Sequence, residues 1–270
     1  MRITALYTYP VKGCHRIEHD VARVEPWGLA GDRRWLMVDA EGVGITQRDS
    51  PLLTQLAVRP RAGGLVLSAP GLPELDVDEP VDGAEELVRV FRHKDPAPAR
   101  VAEKEWSSAF LGRDARLVWQ RDPAGRRIAT HALPDDRVSF ADGFPVLLAN
   151  EGSLSAVNDW LAESGEEPVP ITRFRPNLVV GGAPAWAEDE WLGRRLRIGD
   201  VTFRAAKSCS RCVVTTIDQE TGEKGREPLR LLGKRRRFDD GLLFAINLIP
   251  DMSHVSIAVG DPVEVLQPYG

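Results

Sequence analysis

Short β-like runs, interrupted by turn residues every few positions, constrain this chain more than any other feature. In the first half such runs fall at 3–9, 20–26, 35–39, 55–59, 65–68 and 87–91. Ala40-Glu-Gly-Val43 and Arg61-Ala-Gly-Gly64 sit between them as tight turns, because glycine supplies the positive φ that hairpins need. In the second half the runs recur at 177–180, 195–198, 201–205, 213–217, 243–248 and 263–266. Helical spacing is confined to 103–111, with Trp106, Ala109 and Phe110 on one face, and to 153–164, with Leu154, Val157 and Leu161. Strands this short and this frequent curl into small barrels or sandwiches. The expected class is α+β, mainly β: two β-rich lobes with a few helices. Asp122-Pro-Ala-Gly125 reads as the joint, which divides the chain into 1–120 and 121–270. Pro96-Ala-Pro98 reads as a loop.

With 270 residues, 43% of them hydrophobic and 28% charged, the chain has ordinary globular composition. A net charge of −5 argues against a broad basic surface for nucleic acid. No apolar run approaches the roughly 20 residues that cross a bilayer. The N-terminus reads as a strand, which suggests a cytoplasmic protein. Three cysteines, Cys14, Cys209 and Cys212, do not suit a disulfide framework.

Cys209-Ser-Arg-Cys212 carries the strongest chemical signal. Arg211 stands beside Cys212 in sequence and is expected to favour its thiolate, the form that attacks or binds metal. A soft sulfur ligand suits a soft or high-valent metal. Three plainer readings stand beside this one. Half of a structural zinc site needs a second ligand pair, and the five histidines are scattered. A thioredoxin-like pair opens a helix in a βαβ unit, whereas Val213-Val-Thr-Thr-Ile217 is β-like. Two buried structural cysteines are the third reading. Arginine far outnumbers lysine, so Lys12 and Lys207 in the candidate segments draw notice as compact charges able to meet a phosphate. Read alone, Pro10-Val-Lys12-Gly13 is a turn with a surface lysine. Asp32-Arg33 is a loop closed by an ion pair, and Arg175 is a cap on a sheet end.

Together and in order, these segments resemble the MOSC family, the molybdenum cofactor sulfurase C-terminal domain proteins, in its amidoxime-reducing branch with a preceding N-terminal β-barrel region. The resemblance runs through Tyr9-Pro-Val-Lys12, Gly31-Asp-Arg33, Ile45-Thr-Gln-Arg48, Phe140-Ala-Asp142-Gly-Phe-Pro145, Phe174-Arg-Pro-Asn177, Trp186-Ala-Glu-Asp189 and Cys209-Ser-Arg-Cys212. It implies molybdenum bound by a pyranopterin dithiolene and by the thiolate of Cys212. It implies that Lys12, Arg33 and Arg175 hold the phosphate and pterin. Further contacts fall to Gly13, Asp142, Gly143, Phe144, Asn177, Ser210 and Arg211. Gly13 and Gly143 depart from the family pattern, which often carries hydroxyl residues there, and Phe144 does likewise. The implied activity is reduction of small N-hydroxylated substrates, with electrons from a separate donor protein, a flavin reductase with a haem or iron–sulfur carrier. The alternative is a sulfur carrier or cofactor-handling protein that uses a cysteine persulfide.

Overall fold

The computed structural model describes residues 1–90, 96–251 and 254–269. The architecture is α+β and mainly β. The principal sheet among the described residues has nine strands. Its order is Val263–Pro268, Arg194–Ile198, Val201–Ser210, Gly241–Pro250, Val146–Asn150, Leu178–Gly181, Arg2–Thr8 and Ile17–His19, with Arg237–Phe238 attached to Gly241–Pro250. The pairing is antiparallel except between Val146–Asn150 and Leu178–Gly181. Two parallel neighbours need a crossover, and helix α2, Glu151–Glu163, supplies it. Asn150 starts α2 by accepting from the Gly152 N–H at 2.9 Å.

The chain ends interleave. Arg2–Thr8 pairs with Leu178–Gly181, and Val21–Glu25 pairs with Ser256–Ala258. Leu178 and Val180 enter one hydrophobic core while Val179 enters a second, as the two-residue period of a strand requires. Ile3 and Leu6, three apart, both join the first core, and a bulge between Ile3 and Ala5 reconciles that spacing with the pleat.

Smaller sheets complete the first half. One contains Trp35–Val38, Arg116–Trp119, Ala97–Glu103 and Glu86–Val88, and another contains Ala57–Arg61, Gly64–Ser68 and Leu75–Asp78. Helix α1, Glu105–Leu111, packs Trp106 and Phe110 inward, while Ala109 is exposed and Ser107 takes a buried place. Helix α3, Leu229–Arg235, lies with α2 over a third core around Phe174 and Phe244.

Two local expectations fail. Ala97 and Pro98 belong to a strand rather than a loop. Residues 213–217 are not a strand: Val213–Thr216 is a 3₁₀ turn. Thr215 Oγ1 donates to the Cys212 carbonyl at 2.9 Å and Thr216 Oγ1 to the Val213 carbonyl at 2.8 Å. Hydroxyls bonded three residues back favour a tight turn over the strand that β-branching suggests. The run expected at 87–91 is a strand at Glu86–Val88, and its end lies outside the described residues.

Candidate functional site

A cavity of about 210 Å³ gathers segments from both halves of the chain. Its lining includes Lys12, Gly13, Arg33, Asp142, Gly143, Phe144, Arg175, Asn177, Ser210, Arg211 and Cys212, so every residue to which the family resemblance gave a role reaches one place. Lys207 does not line it. Thr46, Gln47, Arg48, Phe174 and Cys209 line it as well. Arg48 stood within the Ile45-Thr-Gln-Arg48 resemblance, but nothing local marked it as a site residue.

Two arginines are presented by unusual backbone. Arg33 has φ 49° and Arg175 has φ 55°, both in the left-handed region. Such a conformation costs on the order of 1–3 kcal/mol in a non-glycine residue. Arg175 ends the 3₁₀ turn Ile171–Phe174, and its N–H donates to the Thr172 carbonyl. Both guanidiniums lie over the buried ring of Tyr9, with centroid distances of 4.1 Å for Arg175 and 4.7 Å for Arg33. Burial raises the Tyr9 pKa against the pull of those cations, which keeps its hydroxyl donating to the Pro176 carbonyl.

Arg33 Nη1 donates to Asp32 Oδ2 at 2.5 Å and to Asn177 Oδ1 at 3.2 Å. Burial works against the Arg33 charge, but Asp32 outweighs it and the pKa rises. Asn177 also donates from Nδ2 to the Tyr7 carbonyl and accepts from the Leu147 N–H. Its amide is therefore spent on holding Arg33 and the sheet. Arg175 Nη1 donates to the Cys14 carbonyl at 2.9 Å and to Gln219 Oε1 at 2.8 Å. Burial lowers the Arg175 pKa and raises the Cys14 thiol to about 12, so Cys14 stays protonated.

Lys12 donates from Nζ to the Phe140 carbonyl at 2.8 Å and to Asp142 Oδ1 at 2.5 Å. Burial brings its pKa down to about 8, although Asp142 opposes the shift. Asp142 is exposed, and the charges of Lys12, Arg48 and Arg33 hold its carboxyl below its usual range. Gly13 has φ +89°, and a Cβ there would approach Leu53 Cδ1 to 3.0 Å. Glycine is therefore required by the backbone at this point. Around Gly143 a Cβ would meet nothing within 4 Å.

The thiols are distributed differently from the sequence expectation. Arg211 Nη1 donates to Cys209 Sγ at 2.8 Å, while Arg48 Nη2 donates to Cys212 Sγ at 3.1 Å. Residues two apart in extended chain share a face, so Arg211 meets Cys209 and not its sequence neighbour. All three cysteines are free. Among the described residues no three His, Cys, Asp or Glu side chains cluster, so the pair lacks the further ligands a structural zinc site needs.

The donor set fits a phosphate-bearing ligand with a thiolate-bound metal. Among the described residues five cationic side chains line the cavity (Lys12, Arg33, Arg48, Arg175 and Arg211) against one carboxylate, Asp142. Arg175 Nη2 and Arg211 Nε are buried with no hydrogen-bond partner. Buried guanidinium donors left unpaired are costly, and a bound anion would satisfy them.

The chain is similar to known proteins over most of its length. The chain is 30% identical to the human protein named mitochondrial amidoxime-reducing component 1, over 98% of this chain and 82% of that one. It is 30% identical to mitochondrial amidoxime reducing component 2 of Bos taurus, over 97% and 82% respectively. Molybdenum cofactor sulfurase of Oryza sativa subsp. japonica is 29% identical over 92% of this chain, which spans 32% of that longer protein. No helix among the described residues is long and apolar enough to cross a membrane. The MOSC N-terminal beta barrel domain matches residues 1–114 and the MOSC domain matches residues 135–264, and the chain belongs to the MOSC family.

Proposed function

We propose that this protein is a molybdenum-cofactor-dependent oxidoreductase that reduces small N-hydroxylated compounds, with electrons from a separate donor protein. The observation that carries the reading is the convergence of Lys12, Arg33, Arg175 and Cys212, from distant parts of the sequence, on one cavity. The division into 1–120 and 121–270 is part of the same proposal.

When bound, molybdenum held by a pyranopterin supplies two-electron oxidation and reduction with uptake of oxygen. The chain's own residues bind and orient. Lys12, Arg33 and Arg175 neutralise a phosphate, which carries about two negative charges. Gly13 and Gly143 line the cavity and would leave room for the cofactor beside their backbone, and Phe144 packs against Ile128 and Val138. Asn177 keeps Arg33 aimed inward. Ser210 and Arg211 line the cavity as well, and Cys212, which accepts from Arg48, would provide the metal's protein ligand. The overall reaction takes two electrons and two protons, breaks the N–O bond and releases water. The donor protein is a flavin reductase with a haem or iron–sulfur carrier.

A second reading rests on the sulfurase relative and on the Arg48–Cys212 contact, which would equally stabilise a persulfide. Elemental analysis of the purified protein separates the two. Stoichiometric molybdenum that disappears in Cys212→Ser and persists in Cys209→Ser supports the oxidoreductase. Transferable sulfane sulfur on Cys212 with no molybdenum supports the carrier.

A further inference from the structure

Gly143 and Phe144 bring no side-chain hydrogen-bond donor to the cavity they line. The backbone before them, however, is fastened in one orientation. Arg126 donates from Nη1 to the carbonyls of Ser139 and Ala141, the second at 2.6 Å, and from Nη2 to the carbonyl of Asp142 at 3.1 Å. Arg126 is not among the described residues that line the cavity. Its own backbone is held by the Pro123 carbonyl, which accepts its N–H at 3.0 Å, and by the Val138 N–H, which donates to its carbonyl at 3.1 Å. One guanidinium thus grips the carbonyls of Ser139, Ala141 and Asp142 from outside the cavity.

A trans peptide is planar, with its C=O and N–H on opposite sides. Among the described residues the one cis bond is Glu227–Pro228, so residues 139–143 obey this rule. A carbonyl turned to Arg126 turns the following N–H away from it. The Phe140 N–H, which follows the Ser139 carbonyl, shows where that direction leads. It donates at 2.9 Å to the carbonyl of Arg33, a residue of the cavity wall. The N–H groups of Asp142 and Gly143 follow the Ala141 and Asp142 carbonyls and are turned from Arg126 in the same manner. The peptide between Phe140 and Ala141 is reversed, because the Phe140 carbonyl accepts from Lys12 Nζ at 2.8 Å. Among the described residues no protein acceptor meets the N–H of Asp142 or of Gly143. The Asp142 carboxylate is engaged by Lys12 and not by these amides. A Cβ on Gly143 would meet nothing within 4 Å, so the space beside it is open.

We propose that Arg126 is a positioning residue that turns the N–H groups of Asp142 and Gly143 into the cavity, where they form a two-donor backbone site for a phosphate oxygen beside Lys12. This inference rests on the reading of the cavity as a phosphate site. Successive backbone N–H groups carry fixed partial positive charges and bind anions without any cationic side chain. Arg126 acts by orientation and never touches the ligand. Without it the carbonyls of Ser139, Ala141 and Asp142 lose their common partner, and the peptide planes are free to turn. The planar fork of arginine suits this task, whereas a lysine would keep the charge and lose the fork.

The test uses the full chain, produced in a host that makes no pyranopterin, with phenyl phosphate as the probe and backbone amide NMR as the readout. In the wild type, saturation should move the Asp142 and Gly143 amide protons downfield and leave that of Ala141, whose peptide is reversed, in place. Unmoved Asp142 and Gly143 amides at saturation, or an equal shift at Ala141, overturn the backbone site, and this arm needs no variant to fold. Arg126→Lys should lose both shifts and weaken phenyl phosphate binding about tenfold, although the charge is kept. Retained shifts and affinity in Arg126→Lys overturn the positioning role. Lys12→Met is the separate control, expected to weaken binding while both amide shifts persist at saturation. If the wild type binds no phenyl phosphate, or if Lys12→Met binds it as tightly as the wild type, the phosphate reading itself fails and the backbone site falls with it.

Discussion

Arg48 and Cys212 are 164 residues apart in sequence, yet Nη2 of one donates to Sγ of the other at 3.1 Å. Cys209 has a different arginine, Arg211, at 2.8 Å. Each thiol thus has its own cation, and the two pairs can be perturbed separately.

Alkylation by iodoacetamide, followed peptide by peptide, should show that separation in the metal-free protein. Arg48→Ala should slow modification of Cys212 by about tenfold, since a charge-assisted hydrogen bond contributes about 1.5–3 kcal/mol and solvent recovers part of it. Cys209 should react as before. Arg211→Ala should do the converse. Equal slowing of both cysteines by either variant would show that the arginines act through a general field.

Lys12 makes stability depend on pH in an unusual direction. Its pKa is about 8 in the fold against 10.5 for the free side chain. Between those values the unfolded chain binds the proton and the folded chain does not. Stability therefore rises as pH increases through that window. The interval is worth about 3 kcal/mol at full effect. Urea unfolding at pH 7 and pH 10 should show the rise in the wild type and lose it in Lys12→Met. Asp142 acts at the acid end. Its folded pKa lies below 3.8, so its contribution is present above that value and is lost as pH falls below it.

Ser210 owes its place to a glycine across the sheet. A Cβ on Gly241 would lie 2.2 Å from Ser210 Oγ, and Gly241 has φ +119°. Gly241→Ala should destabilise the protein by about 2 kcal/mol or more through clash and backbone strain together. Adding Ser210→Ala should recover the clash and leave the strain. Denaturant midpoints of the two variants measure the division, and complete recovery would show that the backbone tolerates alanine there.

Gln47 and Gln219 exchange amide bonds at 3.0 and 3.1 Å, both fully inside the protein. Gln47 also holds the Gly13 carbonyl at 2.7 Å, and Gln219 Oε1 accepts from Arg175. The pair ties the Lys12–Gly13 turn to the segment that follows Cys212. Gln219→Leu should cost about 1–3 kcal/mol of stability, because it strands buried donors on Gln47 and Arg175. In a double-mutant cycle with Gln47→Leu the two losses should be markedly non-additive. Additive losses would mean that the amides act independently.

Much of this protein was legible in its residues. Short β-like runs punctuated by turn residues marked the β-rich class, since glycine-containing turns close hairpins through local backbone geometry. The ordered succession of Lys12, Arg33, Arg175 and Cys212 pointed to the family. Two other matters belonged to the tertiary structure. Val213–Thr216 is β-branched yet forms a 3₁₀ turn, because Thr215 and Thr216 return their hydroxyls to carbonyls three residues back. Arg211 adjoins Cys212 in the chain but serves Cys209, while Arg48 arrives from a distant segment to serve Cys212. Sequence neighbours in extended backbone point to opposite faces, so adjacency does not predict which charge a thiol feels. Likewise no local signal shows that Asp142 closes on Lys12 from a segment 130 residues away. Residue types and their periodicity determined what the chain builds. The pairing of charges inside the cavity was decided by long-range packing, which alone brings distant side chains within hydrogen-bond reach.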